Sequence, residues 1–298
     1  MPIFGFLNIN KPAGMTSHDV VAKIRRGLNI RKVGHAGTLD PLATGVLVIC
    51  LGGATRLSDY IMHGTKRYTA RVHLGITTDT YDTEGAILEE RDATAISRED
   101  VERALTALRG DIRQIPPMYS AIKQGGRKLY DLARAGQTVE REARAVTITA
   151  LDLLDWQPPR FTLDVVCSAG TYIRSLAYDL GETLGVGAHL AGLTRTASGN
   201  FTLENAVELE TLVTSANWQQ SVISPQEALA GWPSLQLDDA SIAHIQHGRG
   251  IEITDSHLSP PGTPGDTLFA YTSDGTLLAI LEQREDRLYP RKVFLPGD

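Results

Sequence analysis

Apolar positions in the first third of the chain recur with two different spacings. Gly5-Phe6-Leu7-Asn8-Ile9-Asn10 predicts a short strand running into a Lys11-Pro12 turn. Val20, Val21, Ile24 and Leu28 then fall on one helix face, with Ser17 as the N-cap and an end near Gly27. The run Val46-Leu47-Val48-Ile49-Cys50-Leu51 reads as a buried strand, and a short helix follows with Leu57, Tyr60 and Ile61 inward. From Tyr68 the positions Ala70, Val72, Leu74 and Ile76 alternate, which is the two-residue period of a half-buried strand. Ser97-Arg98-Glu99-Asp100 resembles a capping box for a helix carrying Val101, Ala104, Leu105 and Leu108, with Gly110 closing it.

The pattern changes at residues 115 to 144, which begin Pro116-Pro117 and contain Gly125-Gly126, Gly136 and a short predicted helix from Lys128 to Ala135. Such a segment reads as an insertion able to move, as binding loops do. Strands are predicted at about 145 to 154 and 161 to 167, then a helix from near Tyr172 that buries Ile173, Leu176, Ala177, Leu180 and Leu184. Strands around Thr194-Arg195-Thr196 end this part. A second domain is expected after Gly231-Trp232-Pro233, at 232 to 298. It has a helix from Ala240 to Gln246 and strands near 249 to 254, 267 to 272, 276 to 282 and 289 to 295. The Pro/Gly-rich Ser259-Pro260-Pro261-Gly262-Thr263-Pro264-Gly265 breaks that series. The expected fold is α+β: residues 1–231 form a mixed or antiparallel sheet with helices packed on it, and a small β-barrel-like module follows.

Composition limits the function classes. With 298 residues, 42% hydrophobic and 21% charged, the chain can bury a substantial core. No apolar stretch has the length of a membrane span, and Met1-Pro2-Ile3-Phe4 does not open a secretory signal, so a cytoplasmic protein is expected. A monomer is the default. Cys50 and Cys167 each sit in a strand-like apolar run and are expected to be core residues. The net charge of −6 gives no sign of a polyanion partner, yet its distribution is uneven. Residues 232 to 298 hold ten acids against five Lys plus Arg, whereas 109 to 144 hold eight Lys plus Arg against four acids. Lys23, Arg25, Arg26, Arg31 and Lys32 form another basic cluster, and local clusters of this kind contact phosphates.

Candidate chemistry concentrates in Gly34-His35-Ala36-Gly37-Thr38-Leu39-Asp40-Pro41-Leu42-Ala43-Thr44-Gly45. Proline at 41 pushes Asp40 towards an extended conformation, so a stiff loop presents the carboxylate. An ordinary turn has the same make-up. Arg174 lies in the first turn of its predicted helix, where the helix dipole disfavours a cation unless an anion partners it. There is no nucleotide-binding Gly-rich fingerprint and no zinc spacing of His and Cys. Asp79, Asp82 and Glu84 lack the spacing of an EF-hand loop, so no metal is assigned.

Several motifs in order carry a resemblance. Lys11-Pro12-Ala13-Gly14-Met15-Thr16-Ser17, the Asp40 loop, Lys66-Arg67-Tyr68, Thr78-Asp79-Thr80-Tyr81-Asp82-Thr83-Glu84-Gly85, Pro116-Pro117-Met118-Tyr119-Ser120-Ala121-Ile122-Lys123 and Gly170-Thr171-Tyr172-Ile173-Arg174 occur in sequence. From about residue 5 to about 205 the chain closely resembles the bacterial TruB-type tRNA pseudouridine synthases. The resemblance implies isomerisation of uridine to pseudouridine at position 55 in the tRNA T loop, by base flipping and without a cofactor. It implies Asp40 as the catalytic carboxylate, assisted by Arg174, and Tyr68 as a ring stacked on the base. His35, Tyr172, Leu193, Arg56 and Lys11 are the implied substrate-binding residues. The insertion would close over RNA, and the tail would be a PUA-type module.

Two other readings remain at this point. Ser120-Ala121-Ile122-Lys123 fits the Ser-x-x-Lys pattern of certain acyl enzymes, although the accompanying motifs are missing. An RNA-binding protein without catalysis would share every basic feature and differ only in what Asp40 does.

Overall fold

The structure is a computed structural model that describes residues 3–120, 122–252, 258–259 and 267–295. In chain order the first elements are β1 (Phe4–Lys11), α1 (Ser17–Gly27), β2 (Val33–His35), β3 (Thr44–Gly52), α2 (Ser58–Met62) and β4 (Lys66–Leu74). A ribbon β5 (Ile76–Thr78) and β6 (Ile87–Glu90) follows, then α3 (Arg98–Ala107) and β7 (Gly110–Gln114). The insertion holds β8 (Lys123–Gln124), β9 (Arg127–Lys128) and α4 (Leu129–Arg134). It leads into β10 (Arg144–Gln157), β11 (Arg160–Cys167), α5 (Ile173–Thr183), β12 (Ala188–Ser198), β13 (Phe201–Thr202), β14 (Val207–Glu208), α6 (Leu209–Thr214) and α7 (Pro225–Ala228). The last part comprises β15 (Ser234–Gln236), α8 (Asp239–Gln246), β16 (Ile251–Glu252), β17 (Leu258–Ser259), β18 (Thr267–Tyr271), β19 (Leu277–Arg284) and β20 (Arg287–Val293).

Ten strands form one mixed sheet in the order β14-β1-β3-β12-β4-β11-β10-β7, with β2 on β3 and β13 on β12. The β1–β14 and β3–β12 pairs are parallel and the others antiparallel. The apolar run at 46 to 51 is explained by two covered faces. Leu47, Ile49 and Leu51 join a core with Val20, Val21 and Ile24 of α1, Val101 and Leu105 of α3, and Leu176 and Leu180 of α5. Val46, Val48 and Cys50 join the opposite core with Phe201, Leu229, Phe269 and Phe294. By contrast Tyr68, Ala70, Val72 and Leu74 of β4 face only the helix side, and their strand alternates accordingly. Both cysteines are buried and unpaired, as their runs implied.

The small C-terminal part is a six-stranded sheet in the order β16-β20-β19-β18-β15-β17, with its own core around Leu235, Leu268, Leu281 and Leu288. It also packs on the large sheet through Phe269, Ile280 and Phe294. The α+β architecture with a small β module is therefore the one the apolar pattern implied. No described helix is long and apolar enough to cross a membrane.

Three local expectations are corrected. Thr16, not Ser17, caps α1, because its side chain accepts from the Asp19 amide while Asp19 bonds back to it. Gly110 does not close α3; Leu108 does, and Gly110 opens β7. Ile76 belongs to the ribbon, because Gly75 turns the chain at φ +85°, where an added Cβ would lie 2.6 Å from the Arg91 carbonyl oxygen. Strand pairing reaches Ser259, opposite Ser234. The rest of the Pro/Gly-rich stretch, 260 to 265, lies outside the described residues.

Candidate active site

The loop between β2 and β3 is fixed from three sides. Ser17 is fully buried at the start of α1, where its hydroxyl donates to the Leu39 carbonyl at 3.1 Å and accepts from the Leu39 amide at 2.8 Å. From below, the Lys11 ammonium donates to the Pro12 and Pro41 carbonyls at 2.8 and 3.3 Å, and the Gly14 amide donates to Pro41 at 2.8 Å. From β12, the buried Arg195 donates to Val46 at 2.7 Å, Gly37 at 3.1 Å and Thr38 at 3.4 Å. Gly45, at φ +95°, allows this approach: a Cβ there would stand 2.2 Å from the Arg195 carbonyl oxygen. Asp40 is thus held on a backbone whose polar groups are occupied by anchors, and its side chain keeps 34% of its exposure.

Arg174 meets that carboxylate. Its Nη2 donates to Asp40 Oδ1 at 3.1 Å, and its Nε lies 2.9 Å from Oδ2, although the Nε–H is not aimed at that oxygen. The same guanidinium donates to the carbonyls of Tyr119 at 2.8 Å and Thr80 at 3.1 Å, and Nη1 lies 3.4 Å from Asp82 Oδ2. Two anions therefore account for a cation at the start of α5. Gln114 of β7 orients that helix end, accepting from the Tyr172 amide at 2.7 Å and donating to its carbonyl at 3.0 Å. Burial pushes the Asp40 carboxyl above the usual aspartate range; Arg174 opposes the rise and Asp82 adds to it. Burial likewise pushes the Lys11 ammonium down to about 8, with Asp40 opposing.

A cleft of about 680 Å³ opens above the pair. Asp40, Tyr68, Arg174, Tyr172 and Leu193 all line it, so five of the eight candidates converge on one cavity. Burial raises the Tyr68 phenol, with nearby Arg195 opposing, and burial raises Tyr172 as well. The insertion forms one wall through Tyr119, Ser120, Tyr130 and Arg134, steadied by a small core of Met118, Leu129 and Leu132.

Three candidates do not line the cleft. Lys11 is buried beneath the Asp40 loop and builds it. His35 packs its ring edge against His18 at 5.2 Å, and it is His18 that faces the cavity. Burial, then the neighbouring His18 and Arg195, lower the His35 imidazole. Arg56 lies away from the cleft, against the C-terminal sheet. Its guanidinium lies 4.6 Å over the Phe294 ring and donates to the Val293 carbonyl at 2.8 Å, so it fastens the C-terminal sheet. A positive charge in the sequence does not reveal which face of the sheet it serves.

Sequence reasoning missed Asp82 and Arg195. In the sequence Asp82 is one acid of the 78–85 motif, but its Oδ1 accepts from Thr80 at 2.6 Å and from the Glu84 amide at 3.0 Å while Oδ2 faces Arg174. Its place in a short acidic run, two residues after Thr80, was the available signal. Arg195 gave none beyond being an arginine in an apolar strand. The acyl-enzyme pattern gains no support, because Ser120 lines the cleft while Lys123 is exposed on the β8–β9 ribbon.

Comparison with known proteins places the chain in a family. Residues 25–173 match the TruB family pseudouridylate synthase N-terminal domain, and residues 174–231 match the tRNA pseudouridylate synthase B C-terminal domain. Among solved structures, the Cbf5–Nop10–Gar1 complex contains a chain with a TM-score of 0.77 at 28% identity, over 98% of this chain and 85% of that one. The H/ACA RNP bound to a substrate RNA containing 2′-deoxyuridine contains one with a TM-score of 0.74 at 26% identity, over 99% and 86%. The small C-terminal sheet is included in that coverage and fits a PUA-like module. Fold and family match together define a pseudouridine synthase.

Curated relatives narrow the class. The tRNA pseudouridine synthase B of Pseudomonas aeruginosa is 46% identical over 98% of this chain and 96% of its own length. That of Clostridium tetani is 44% identical over 91% and 92%, and that of Symbiobacterium thermophilum 50% over 82% of each. The chain belongs to the TruB family of pseudouridine synthases.

Proposed function

We propose that this chain isomerises uridine to pseudouridine at position 55 in the T loop of tRNA, acting on an everted nucleotide through Asp40 and needing no cofactor. The observation that carries this reading is the Asp40 carboxylate itself. It is held from beneath by Arg174 at 2.9 Å and remains open to a cleft walled by aromatic and aliphatic side chains. The reaction breaks the bond from C1′ to N1, turns the uracil and joins C1′ to C5, with loss of the C5 proton and return of one to N1. It consumes no redox equivalent.

A folded T loop must release its uridine first, at a cost of a few kcal/mol, and a dry pocket with a stacking ring offsets that cost. Tyr68 supplies the ring, with its phenol at hand for the C5 proton, and Tyr172 and Leu193 close the sides. The anionic form of Asp40 does the chemistry, whether at C1′, at the base or on a sugar proton. Arg174 keeps it oriented and charged against the pull of burial. His18 lines the cleft with His35 packed against it, and this pair would meet the space the uridine leaves. The basic insertion carries the affinity for phosphate within the catalytic part, residues 1–231, and residues 232–298 form the PUA-like module. The protein acts as a monomer.

The test is to map pseudouridine in a T-arm RNA after incubation with the chain. Modification confined to position 55 supports the reading. No modification, with RNA still bound, leaves a binding protein without catalysis.

A further inference from the structure

The turn carrying two of Arg174's partners is held in an unusual backbone conformation. Tyr81, between Thr80 and Asp82, has φ +65°, in the left-handed region that bulky side chains rarely occupy. Its amide donates to Thr78 at 3.2 Å and its carbonyl accepts from the Leu190 amide at 3.0 Å. The left-handed residue directs its ring onto Tyr178 of α5, with centroids 4.1 Å apart and planes at 20°. Tyr178 stands four residues after Arg174, one turn along the same face of the helix. Helix α5 therefore grips the 80–82 turn twice: Arg174 by the Thr80 carbonyl and the Asp82 carboxylate, Tyr178 by the Tyr81 ring.

We propose that the Tyr81–Tyr178 stack is a positioning element of the catalytic centre, holding the Thr80–Asp82 turn against α5 so that Arg174 stays aligned on Asp40. The inference rests on the reading of Asp40 given above. Neither tyrosine lines the cleft, so both act through Arg174 and not on RNA. A backbone in a costly conformation persists when its surroundings determine it; Tyr81 itself is held by one ring and two backbone hydrogen bonds, while Asp82 beside it is tied by Thr78 and Thr80. Without the ring the turn can relax, and Arg174 loses the anchors on the side away from Asp40.

The experiment compares the parent chain with Tyr178→Phe, Tyr178→Leu, Tyr81→Gly and Asp40→Asn, using tritium release from T-arm RNA labelled at C5 of uridine, with melting temperatures recorded in parallel. Phenylalanine keeps the stack, leucine keeps apolar bulk without a ring, and glycine at 81 keeps the left-handed backbone without the stack. Expected is a kcat for Tyr178→Phe within about twofold of the parent. Tyr178→Leu and Tyr81→Gly should fall about tenfold or more at nearly constant KM, the scale of a small misplacement of a catalytic group. Parental kcat in both ring-deleted variants, equal losses in the Phe and Leu variants, or a loss confined to KM overturns the inference. Release that depends on Asp40 but not on these rings overturns it alone. Release unaffected by Asp40→Asn overturns the reading of Asp40 and this inference with it.

Discussion

Replacing Arg174 by lysine keeps the charge and removes the shape that uses it. The guanidinium is 5% exposed; its Nη2 serves Asp40 and the Tyr119 carbonyl, and its Nη1 serves the Thr80 carbonyl and Asp82. A single ammonium cannot reach all four, so at least two charge-assisted bonds are lost, at about 1.5–3 kcal/mol each. Lysine and entering water recover part of this, which leaves an expected destabilisation of about 2–4 kcal/mol by urea unfolding. Turnover should fall further, about 10²–10³-fold in kcat, because Asp40 loses its orientation while RNA affinity changes only a few-fold. The pH dependence has a definite sign. Asp40 is active as the anion, so kcat falls as pH drops through its folded pKa, which already lies above the usual value of about 3.9. Arg174 holds that pKa down first by its charge, which lysine keeps, and then by a hydrogen bond, which lysine loses, so Arg174→Lys should move the acid limb slightly to higher pH. Parental kcat with an unmoved acid limb would refute the argument that Arg174 sets the state of Asp40.

Other perturbations probe separate links. Tyr68→Phe keeps the ring and removes the phenol; T-arm RNA binding should hold within a few-fold while tritium release is lost, and equal release would leave Tyr68 only a stacking role. Arg56→Ala should cost about 1–3 kcal/mol in unfolding experiments and hasten proteolysis of the C-terminal sheet, with turnover near parental, since its partners are Phe294 and Val293. Lys66 is buried, capping the Met62 and Gly64 carbonyls at 2.9 and 2.8 Å, and burial lowers its ammonium to about 8 from 10.5. The unfolded chain then binds the extra proton between those values, so stability rises with pH there. The parent-minus-Lys66→Met difference in unfolding free energy should therefore grow from about pH 8 to about pH 10.

The sheet was legible wherever one element fixes its own pattern. The unbroken run at 46 to 51 announced a strand covered on both sides, and the alternation after Tyr68 announced one covered on a single side. The Asp40 loop was legible because glycines and a proline leave few conformations, and Arg174 because a cation at a helix start calls for an anion. What stayed hidden depends on contacts between residues far apart in the chain. Asp82 reads as one acid among several until α5 brings Arg174 to it, 92 positions later. Arg195 reads as a surface cation until β12 enters the sheet beside β3 and buries it. Arg56, implied only by its place in the family pattern, gives no sign in the sequence of its packing on Phe294 and Val293.

The most direct measurement is single-turnover tritium release from T-arm RNA labelled at C5 of uridine 55, with Asp40→Asn at saturating protein. The account predicts RNA binding close to parental and no release above background over many parental half-times. Release by Asp40→Asn at a rate near the parent's would contradict it.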